Sequence, residues 1–354
     1  GPEPTPAPSF DHFTTVVDLA RSEQAAWAYF IYVDQVGATS RFTRQTYSNR
    51  SHRTDFWPAS TIKMYTATAA FELLSAWGAS IDAEATFYRQ TNGVWVEDIT
   101  LPFREIIHRT FDCSSNHTYT LLLRFAGIDW LNTEFFTAEN GFNETALMRG
   151  YVTSTERPYG YVQREPQRII VRENGQEWMR EHTWSERSYS NDVGCTVSND
   201  SGTANCTSAH DMAEHVRRVI FHERIPEAER FNITPELIDW YRNGGPELIL
   251  NNTQGNDCGG PAYDGVTRVF PNAEFRHKGG AVMNYRSSIH HVLDPETGTE
   301  YVTAMAVNSG NTRYLRQLSE EIARMAKTPE LYVELASLRD NVNPIRADLV
   351  IVSD

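Results

Sequence analysis

The stretch Trp57–Leu74, WPASTIKMYTATAAFELL, is the most informative part of the sequence for the fold. It contains a predicted helix start and, within one helical turn of it, two side chains with reactive groups, Ser60 and Lys63. Pro58 disfavours helix just before it, so the helix should begin near Ser60. Residues 61–77 are rich in Ala, Leu, Met and Phe and contain no glycine or proline, which predicts a largely buried helix. Side chains three positions apart share a helix face, so Ser60 and Lys63 should lie together. Apolar surroundings would lower the pKa of Lys63 and let it accept the serine proton.

Lysine is rare in this chain, which makes the position of Lys63 informative. Lysine and arginine total 32 residues, yet the lysines are only Lys63, Lys278 and Lys327. Arginine keeps its proton under nearly all conditions, whereas a buried lysine can lose one and act as a base. A chain of this composition is expected to contain about 0.2 Ser-x-x-Lys matches by chance, so this motif alone is weak.

The composition excludes some classes of partner. The 354 residues carry a formal net charge of −14, which argues against a surface for nucleic acid or an anionic membrane. No apolar run approaches the roughly 20 residues of a membrane span. The Pro-rich opening GPEPTPAPS predicts a linker over residues 1–12 at the start of a mature chain without a signal peptide. We expect residues 13–354 to form one domain.

The four cysteines have no Cys-x-x-Cys spacing, so a zinc cluster built from them is not expected. Cys195 and Cys206 enclose the loop CTVSNDSGTANC, which is rich in turn-forming residues. The two cysteines could form a disulfide in an oxidising compartment, or remain as two free thiols.

The order of elements predicts a sheet built from both chain ends. A helix and a strand pair follow the linker, and two strands and a last helix come after residue 265. Residues 96–136 and two later segments are predicted to be helical. Asn174-Gly175 predicts a β-hairpin within an insertion over about 150–206. The predicted parts are a sheet subdomain, about 13–60 and 265–354, and a mainly helical subdomain, about 61–264.

Two further motifs follow the first in the sequence. Ser114-Ser115-Asn116 begins a predicted helix, and Lys278-Gly279-Gly280 begins a predicted strand. The three motifs in this order resemble the signature elements of the penicillin-recognising serine hydrolases, which include class A β-lactamases and D-alanyl-D-alanine peptidases. The resemblance covers about residues 25–325, apart from 150–205. It implies the β-lactamase and penicillin-binding-protein fold, an α/β (α+β) architecture.

The resemblance also implies a role for each motif residue. Ser60 would attack an amide or ester carbonyl, and Lys63 would take its proton. Ser114 would deliver a proton to the leaving nitrogen, and Asn116 would bind the side-chain amide of the substrate. Lys278 would bind the substrate carboxylate. The backbone N–H groups of Ser60 and Ala281 would form the oxyanion hole, with Gly279, Gly280 and Arg286 completing the substrate-binding set.

The sequence departs from the family pattern at two places. Gly279 stands where the family usually has threonine or serine, and Arg286 could compensate for the missing hydroxyl or lie at the surface. The Glu-x-x-Leu-Asn pentad that activates the deacylating water in class A β-lactamases is absent from AENGFNETALMRGYV. Glu144 is the nearest carboxylate there. The insertion offers three others as alternatives: Glu173, Glu177 and Glu181.

Several functions therefore stay open at this stage. The resemblance favours hydrolysis of a β-lactam amide through a Ser60 acyl-enzyme, without a cofactor. The alternatives are a D-alanyl-D-alanine peptidase or esterase, acting on a cell-wall peptide, and a penicillin-binding sensor without turnover. A metal centre is not expected, because His210 and His215, like His290 and His291, should point in opposite directions. We expect a monomer in the periplasm or secreted from a bacterium.

Overall fold

The computed structural model describes residues 1, 3, 8–21, 24–151, 165–197, 202–243 and 265–331. Its strands are β1 (Ala25–Val36), β2 (Thr39–Thr46), β3 (Glu84–Thr91), β4 (Val94–Pro102), β5 (Gln167–Glu173), β6 (Gln176–His182), β7 (Glu274–Val282), β8 (Tyr285–Leu293) and β9 (Glu300–Asn308). Its helices are α1 (Phe13–Ala20), α2 (Lys63–Trp77), α3 (Phe103–Asp112), α4 (Asn116–Ala126), α5 (Ile128–Trp130), α6 (Tyr189–Asp192), α7 (Ala209–Ile220), α8 (Pro235–Asn243) and α9 (Thr312–Lys327). None of these helices has the length and apolar character that a bilayer crossing requires.

The larger sheet is built from both ends of the described chain, as predicted. Its strand order is β2-β1-β9-β8-β7, and every neighbouring pair is antiparallel. Ala25 pairs with Asn308 and Tyr32 with Tyr301 along the β1–β9 ladder. This sheet, with helices packed on it, confirms the predicted α/β fold class.

Both faces of this sheet are covered, which explains why β1 reads as a continuous apolar run. Trp27, Tyr29 and Ile31 point into the core that contains α2. Ala28 and Phe30 alternate with them and point into a second core, formed with α1 and α9. A strand buried on both faces has no polar side, so alternation is lost.

A second sheet lies in the part of the chain predicted to be mainly helical. Its order is β4-β3-β5-β6, so the predicted hairpin at Asn174-Gly175 extends a sheet instead of standing as a separate insertion. The prediction of helix over 96–136 was wrong in its first residues, because β4 continues to Pro102. Asn92 and Gly93, both with positive φ, form the β3–β4 turn, and they carry the same Asn-Gly signal.

The segment before β9 contains two strands where one was predicted. β7 and β8 form a hairpin whose turn includes Met283 at a φ of 50°. Methionine rarely adopts this left-handed conformation, and neither glycine nor an Asn-Gly pair stands in the turn. The hairpin was therefore not predicted. The hairpin places the Lys278 motif on an outer strand of the larger sheet.

Candidate active site

Ser60 lies in a 3₁₀ turn, Ala59–Ile62, that runs directly into α2 and is called the nucleophile turn below. Ala59 has a φ of 52°, a strained conformation for a residue with a side chain. The carbonyl of Pro58 accepts hydrogen bonds from Thr61 Oγ1 at 2.6 Å and from Ser287 Oγ at 3.1 Å. These two bonds hold the strained turn against strand β8, so the position of Ser60 depends on the larger sheet.

Lys63 is fully buried and its amine is directed at the second motif. Its Nζ donates to the Ser114 carbonyl at 2.5 Å, to Asn116 Oδ1 at 2.8 Å and to Ser114 Oγ at 3.2 Å. Burial, reinforced by the nearby Lys278 charge, lowers the pKa of Lys63 to about 6. This shift favours the neutral, proton-accepting form of the amine near pH 7. Among the described residues, no hydrogen bond joins this amine to Ser60 Oγ, so the predicted direct pairing is replaced by contacts to Ser114 and Asn116.

Ser114 connects the two lysines of the motifs. Lys278 Nζ donates to Ser114 Oγ at 2.9 Å and to the Gly279 carbonyl at 2.8 Å. Burial lowers the pKa of Lys278 to about 7. Ser114 Oγ therefore lies within hydrogen-bond distance of both amines, so a proton can pass between them through this hydroxyl. Ser114 also has a φ of 53°, so a second strained residue lies at this site.

Gly280 brings strand β7 against the nucleophile turn. A Cβ at this position would lie 2.8 Å from the Pro58 carbonyl oxygen and 2.9 Å from the Ser60 nitrogen. Both distances are too short for any side chain, so only glycine permits this approach. The neighbouring residue, Ala281, pairs with Arg286 of β8. The geometry thus brings the Ser60 turn and the third motif together.

Two tyrosine rings and one asparagine, not predicted from the sequence, complete the surroundings of Lys63. Its Nζ lies 6.0 Å from the ring centre of Tyr119 and 5.9 Å from that of Tyr151. Asn205 Nδ2 donates to both tyrosine hydroxyls, at 3.3 and 3.2 Å. Both rings are buried and lie beside the amine. No spacing in the sequence relates these three positions.

The Cys195–Cys206 disulfide is present, as one of the two alternatives predicted. Cys206 N–H and carbonyl pair with the backbone of Ala146, which fixes the residue next to Asn205. Asn205 Oδ1 in turn accepts from the Met148 and Arg149 N–H groups at 2.7 and 2.9 Å. The disulfide therefore anchors the loop that supplies Asn205 to the site.

Arg286 is turned toward its own β-turn. Its Nη1 donates to the carbonyls of Met283 and Tyr285, both at 2.8 Å. These bonds hold the guanidinium at the β7–β8 turn, next to the strand that carries Lys278 and Gly279. A contact between Arg286 and a substrate carboxylate stays a prediction.

Glu144, predicted as a possible deacylation base, has its contacts elsewhere. Its carboxylate bonds to His52 Nδ1 at 2.9 Å and accepts from Ser208 Oγ at 2.7 Å. Neither partner belongs to the three motifs. Among the described residues, the hydrogen bonds of the Lys63 amine go to Ser114 and Asn116, and none goes to a carboxylate.

The three carboxylates of the hairpin have partners within or beside the second sheet. Glu173 bonds to the backbone N–H and hydroxyl of Ser80, just beyond the end of α2. The ion pairs of the other two are Glu177 with Arg172 and Glu181 with Arg168. None of these contacts reaches the motif residues.

The two histidines of α7 point in different directions, as predicted, but His210 lies beside other potential metal ligands. His215 is buried against Thr68 and Tyr65. His210 instead lies beside His52 and Glu144, and these three side chains form a group that could hold a metal ion. The sequence did not predict this group, because its members come from distant segments.

The comparisons with known proteins agree on the fold. No family model and no curated protein sequence matches the chain. Solved structures of similar fold include a β-lactamase from Sphaerobacter thermophilus DSM 20745, with 14% identity, a TM-score of 0.54 and coverage of 90% of this chain and 96% of that one. The TLA-3 extended-spectrum β-lactamase has 14% identity, a TM-score of 0.54 and coverage of 88% and 97%.

PBP-A is similar to the same degree, with 16% identity, a TM-score of 0.52 and coverage of 92% of this chain and 99% of that one. A PBP-A variant has been solved as an acyl-enzyme complex with penicillin G. At these identities the likeness establishes fold and not activity. The chain therefore has the fold of the penicillin-recognising serine hydrolases, as the order of its three motifs predicted.

Proposed function

We propose that this protein is a serine hydrolase that reacts with β-lactams, or with related amides and esters, through an acyl-enzyme on Ser60. The observation that carries this proposal is the chain of contacts from Lys63 through Ser114 to Lys278, beside a turn that presents Ser60. Three motifs that are far apart in the sequence meet at one place, and each supplies the group that acyl transfer needs.

In the proposed acylation, Ser60 Oγ attacks the carbonyl carbon and the neutral Lys63 amine accepts its proton. A small rotation of the Lys63 side chain, away from the Asn116 oxygen, would bring Nζ to Ser60 Oγ. The N–H groups of Ser60 and Ala281 would stabilise the oxyanion, each contributing a factor of about 10²–10³ in rate. Protonated Lys278 would bind the substrate carboxylate.

Collapse of the tetrahedral intermediate breaks the bond between the carbonyl carbon and the leaving nitrogen. Ser114 Oγ gives its proton to that nitrogen and regains one from Lys63, so the proton taken from Ser60 ends on the leaving group. The products are an ester on Ser60 and a free amine, which in a β-lactam stays attached through the opened ring.

We further propose that deacylation is slow. Activation of a water molecule needs a base near the ester, and the described carboxylates considered for this role, Glu144 and the three hairpin residues, all have partners elsewhere. Two buried tyrosine rings also lie close to the Lys63 amine. This arrangement favours a penicillin-binding protein, or a slow β-lactamase, over a fast one. The disulfide supports a location outside the cytoplasm.

Intact-mass measurement over time with benzylpenicillin tests the proposal. We expect a single adduct with the mass of the whole antibiotic, persisting for many minutes in the wild type and absent from Ser60→Ala. Ser40→Ala, at a half-buried position on β2, the edge strand opposite the one that carries Lys278, is the matched control and should form the adduct normally. No adduct in the wild type, or an equal adduct in Ser60→Ala, would disprove the role of Ser60.

Two substrate assays separate the possible activities. Rapid, repeated turnover of a chromogenic cephalosporin would show a β-lactamase and contradict slow deacylation. Release of D-alanine from a cell-wall pentapeptide would show a peptidase, with the same Ser60 dependence. A lasting adduct without either turnover would support a penicillin-binding sensor.

A further inference from the structure

A second group of reactive side chains lies apart from the Ser60 motifs. His52, in the loop before the nucleophile turn, Glu144 and His210, in the first turn of α7, bring their potential ligand atoms within 4.8 Å of one another. His52 Nδ1 is 2.9 Å from Glu144 Oε1, and the two histidine rings lie 4.4 Å apart at an angle of 32°. Three segments distant in sequence thus converge through two imidazoles and one carboxylate.

The orientation of His210 is fixed by a buried carboxylate. Its Nδ1 lies 2.8 Å from Asp211 Oδ1, which leaves Nε2 as the ring nitrogen free to bind a ligand. The Asp211 side chain has no exposed surface and also accepts from the N–H groups of Asn143 and Glu144. A carboxylate that orients a histidine through its far nitrogen is typical of metal-binding histidines.

The carboxylate of Glu144 is also oriented by a hydrogen bond. Ser208 Oγ already holds the second oxygen of Glu144 at 2.7 Å, so the first oxygen stays directed at the histidines.

The group is accessible from solvent. His52 and Glu144 border a cavity of about 430 Å³, whose lining also includes Thr54, Thr196 and the ion pair between Arg53 and Asp55. The exposed fractions of the side chains fall from 43% for His52 to 21% for Glu144 and 16% for His210. A small ion can enter from the cavity, and a water molecule can complete its coordination from the same side.

We propose that His52, Glu144 and His210 form a binding site for a divalent transition-metal ion, with Zn²⁺ as the best match. Two imidazoles and a carboxylate suit zinc and its neighbours, whereas calcium and magnesium prefer sets of oxygen ligands. Three protein ligands and one water molecule complete the four positions that zinc usually takes. The three ligand atoms lie within 4.8 Å of one another. A small movement of each toward a shared centre would bring them to the distances of about 2.0–2.2 Å at which nitrogen and oxygen bind zinc.

The bound ion would link the His52 loop to α7 and to the segment that carries Glu144. Residue 52 precedes Ser60 by one short loop, and Thr54 in this loop already contacts Thr196 beside the disulfide. The ion would therefore hold the chain that enters the nucleophile turn. Its ligands do not contact the three motifs, so this inference stands apart from the proposed function.

Zinc binding by the untagged full chain, after removal of metals with a chelator, tests the proposal. Isothermal titration with Zn²⁺ should give one site per chain, and the melting temperature should rise with zinc concentration. His52→Gln and His210→Gln should each weaken binding by at least roughly 10-fold. Co²⁺ in place of Zn²⁺ should give visible absorption bands in the wild type that both variants lose.

His108→Gln is the matched control, because His108 lies on α3 and pairs with Asp112 at 3.7 Å. It should bind zinc like the wild type, as should Ser60→Ala, which removes only the proposed nucleophile. Absence of binding in the wild type would overturn the proposal. So would an affinity that changes less than twofold in both His52→Gln and His210→Gln, or one that His108→Gln reduces equally.

Discussion

Replacement of Lys63 by methionine should remove acylation and yet stabilise the fold at neutral pH. The pKa of this lysine falls from an ordinary value of 10.5 to about 6 in the folded protein. Between these values the unfolded chain binds a proton that the folded chain lacks, so stability falls as pH is lowered from 10.5 to 6. The cost is about 1.36 kcal/mol for each pH unit, which makes about 5 kcal/mol at pH 7.

Methionine matches lysine in length and avoids this cost, but it donates no hydrogen bonds. The Ser114 carbonyl and Asn116 Oδ1 would lose their donor, at about 1.5 kcal/mol for each group left unpaired, or about 3 kcal/mol together. The net gain in the free energy of unfolding should be about 2 kcal/mol at pH 7. It should shrink to about zero between pH 8 and 9, as the wild-type cost declines.

Urea unfolding at several pH values from 6 to 9 measures this difference. Lys327→Met is the matched control, because Lys327 is an exposed lysine near the end of α9. The control should differ little from the wild type and show no such dependence on pH. A Lys63→Met protein that is less stable than the wild type at pH 7, or a difference that does not change with pH, would refute a neutral buried amine.

Three further predictions concern the packing around the site. Gly280→Ala should reduce acylation by about 10²-fold, measured as adduct formation, because its Cβ would displace the nucleophile turn; an unchanged rate would refute the close approach. Burial alone would raise the pKa of Glu214, but Arg217 and a second arginine outweigh it and lower the pKa to about 2. The ionised carboxylate therefore stabilises the fold fully above its ordinary pKa of 4.5, and this stabilisation is lost as the pH falls toward 2. Glu214→Gln should lower the free energy of urea unfolding by about 3–5 kcal/mol at pH 7. Replacement of both Cys195 and Cys206 by serine should lower the free energy of urea unfolding by about 3 kcal/mol. A reducing agent should destabilise the wild type through loss of this disulfide, an effect that the double variant cannot show.

The sequence predicted the parts of the site that lie on regular elements with local signals. Ser60 and Lys63 share a helical turn, and Ser114 and Asn116 stand at the start of α4, so spacing and order located them. The prediction that Lys278 begins a strand was wrong, because β7 begins at Glu274 and Lys278 lies in its middle. Their contacts could not be predicted in the same way. Lys63 bonds to Ser114 and not to Ser60, because the direction of a long flexible side chain depends on the partners that tertiary structure supplies.

The errors in the predicted fold have two different physical causes. The β3–β4 hairpin carried a usable signal, Asn92-Gly93, between arms rich in aromatic and β-branched residues. The β7–β8 turn carried none, because Met283 adopts a conformation that its side chain disfavours. Asn205 and His52 show a third limit, since each joins residues more than 50 positions away. Such contacts follow from the assembled fold and not from any local pattern.

Pairing of the first and last strands of the described chain has a consequence for biosynthesis. Thr303 Oγ1 donates to the carbonyl of Tyr29 across 274 positions, inside the ladder between β1 and β9. Contacts of such high sequence separation form late, after the entropy of closing a very long loop has been overcome. In a ribosome-bound nascent chain that has not yet exposed β9, the strongly apolar β1 can pair with β2 but has no partner on its other edge. This open edge creates a risk of aggregation and a binding site for chaperones. Antibiotic labelling of Ser60 would then report completed synthesis, because stalled chains lack the strand that carries Lys278 in its folded place.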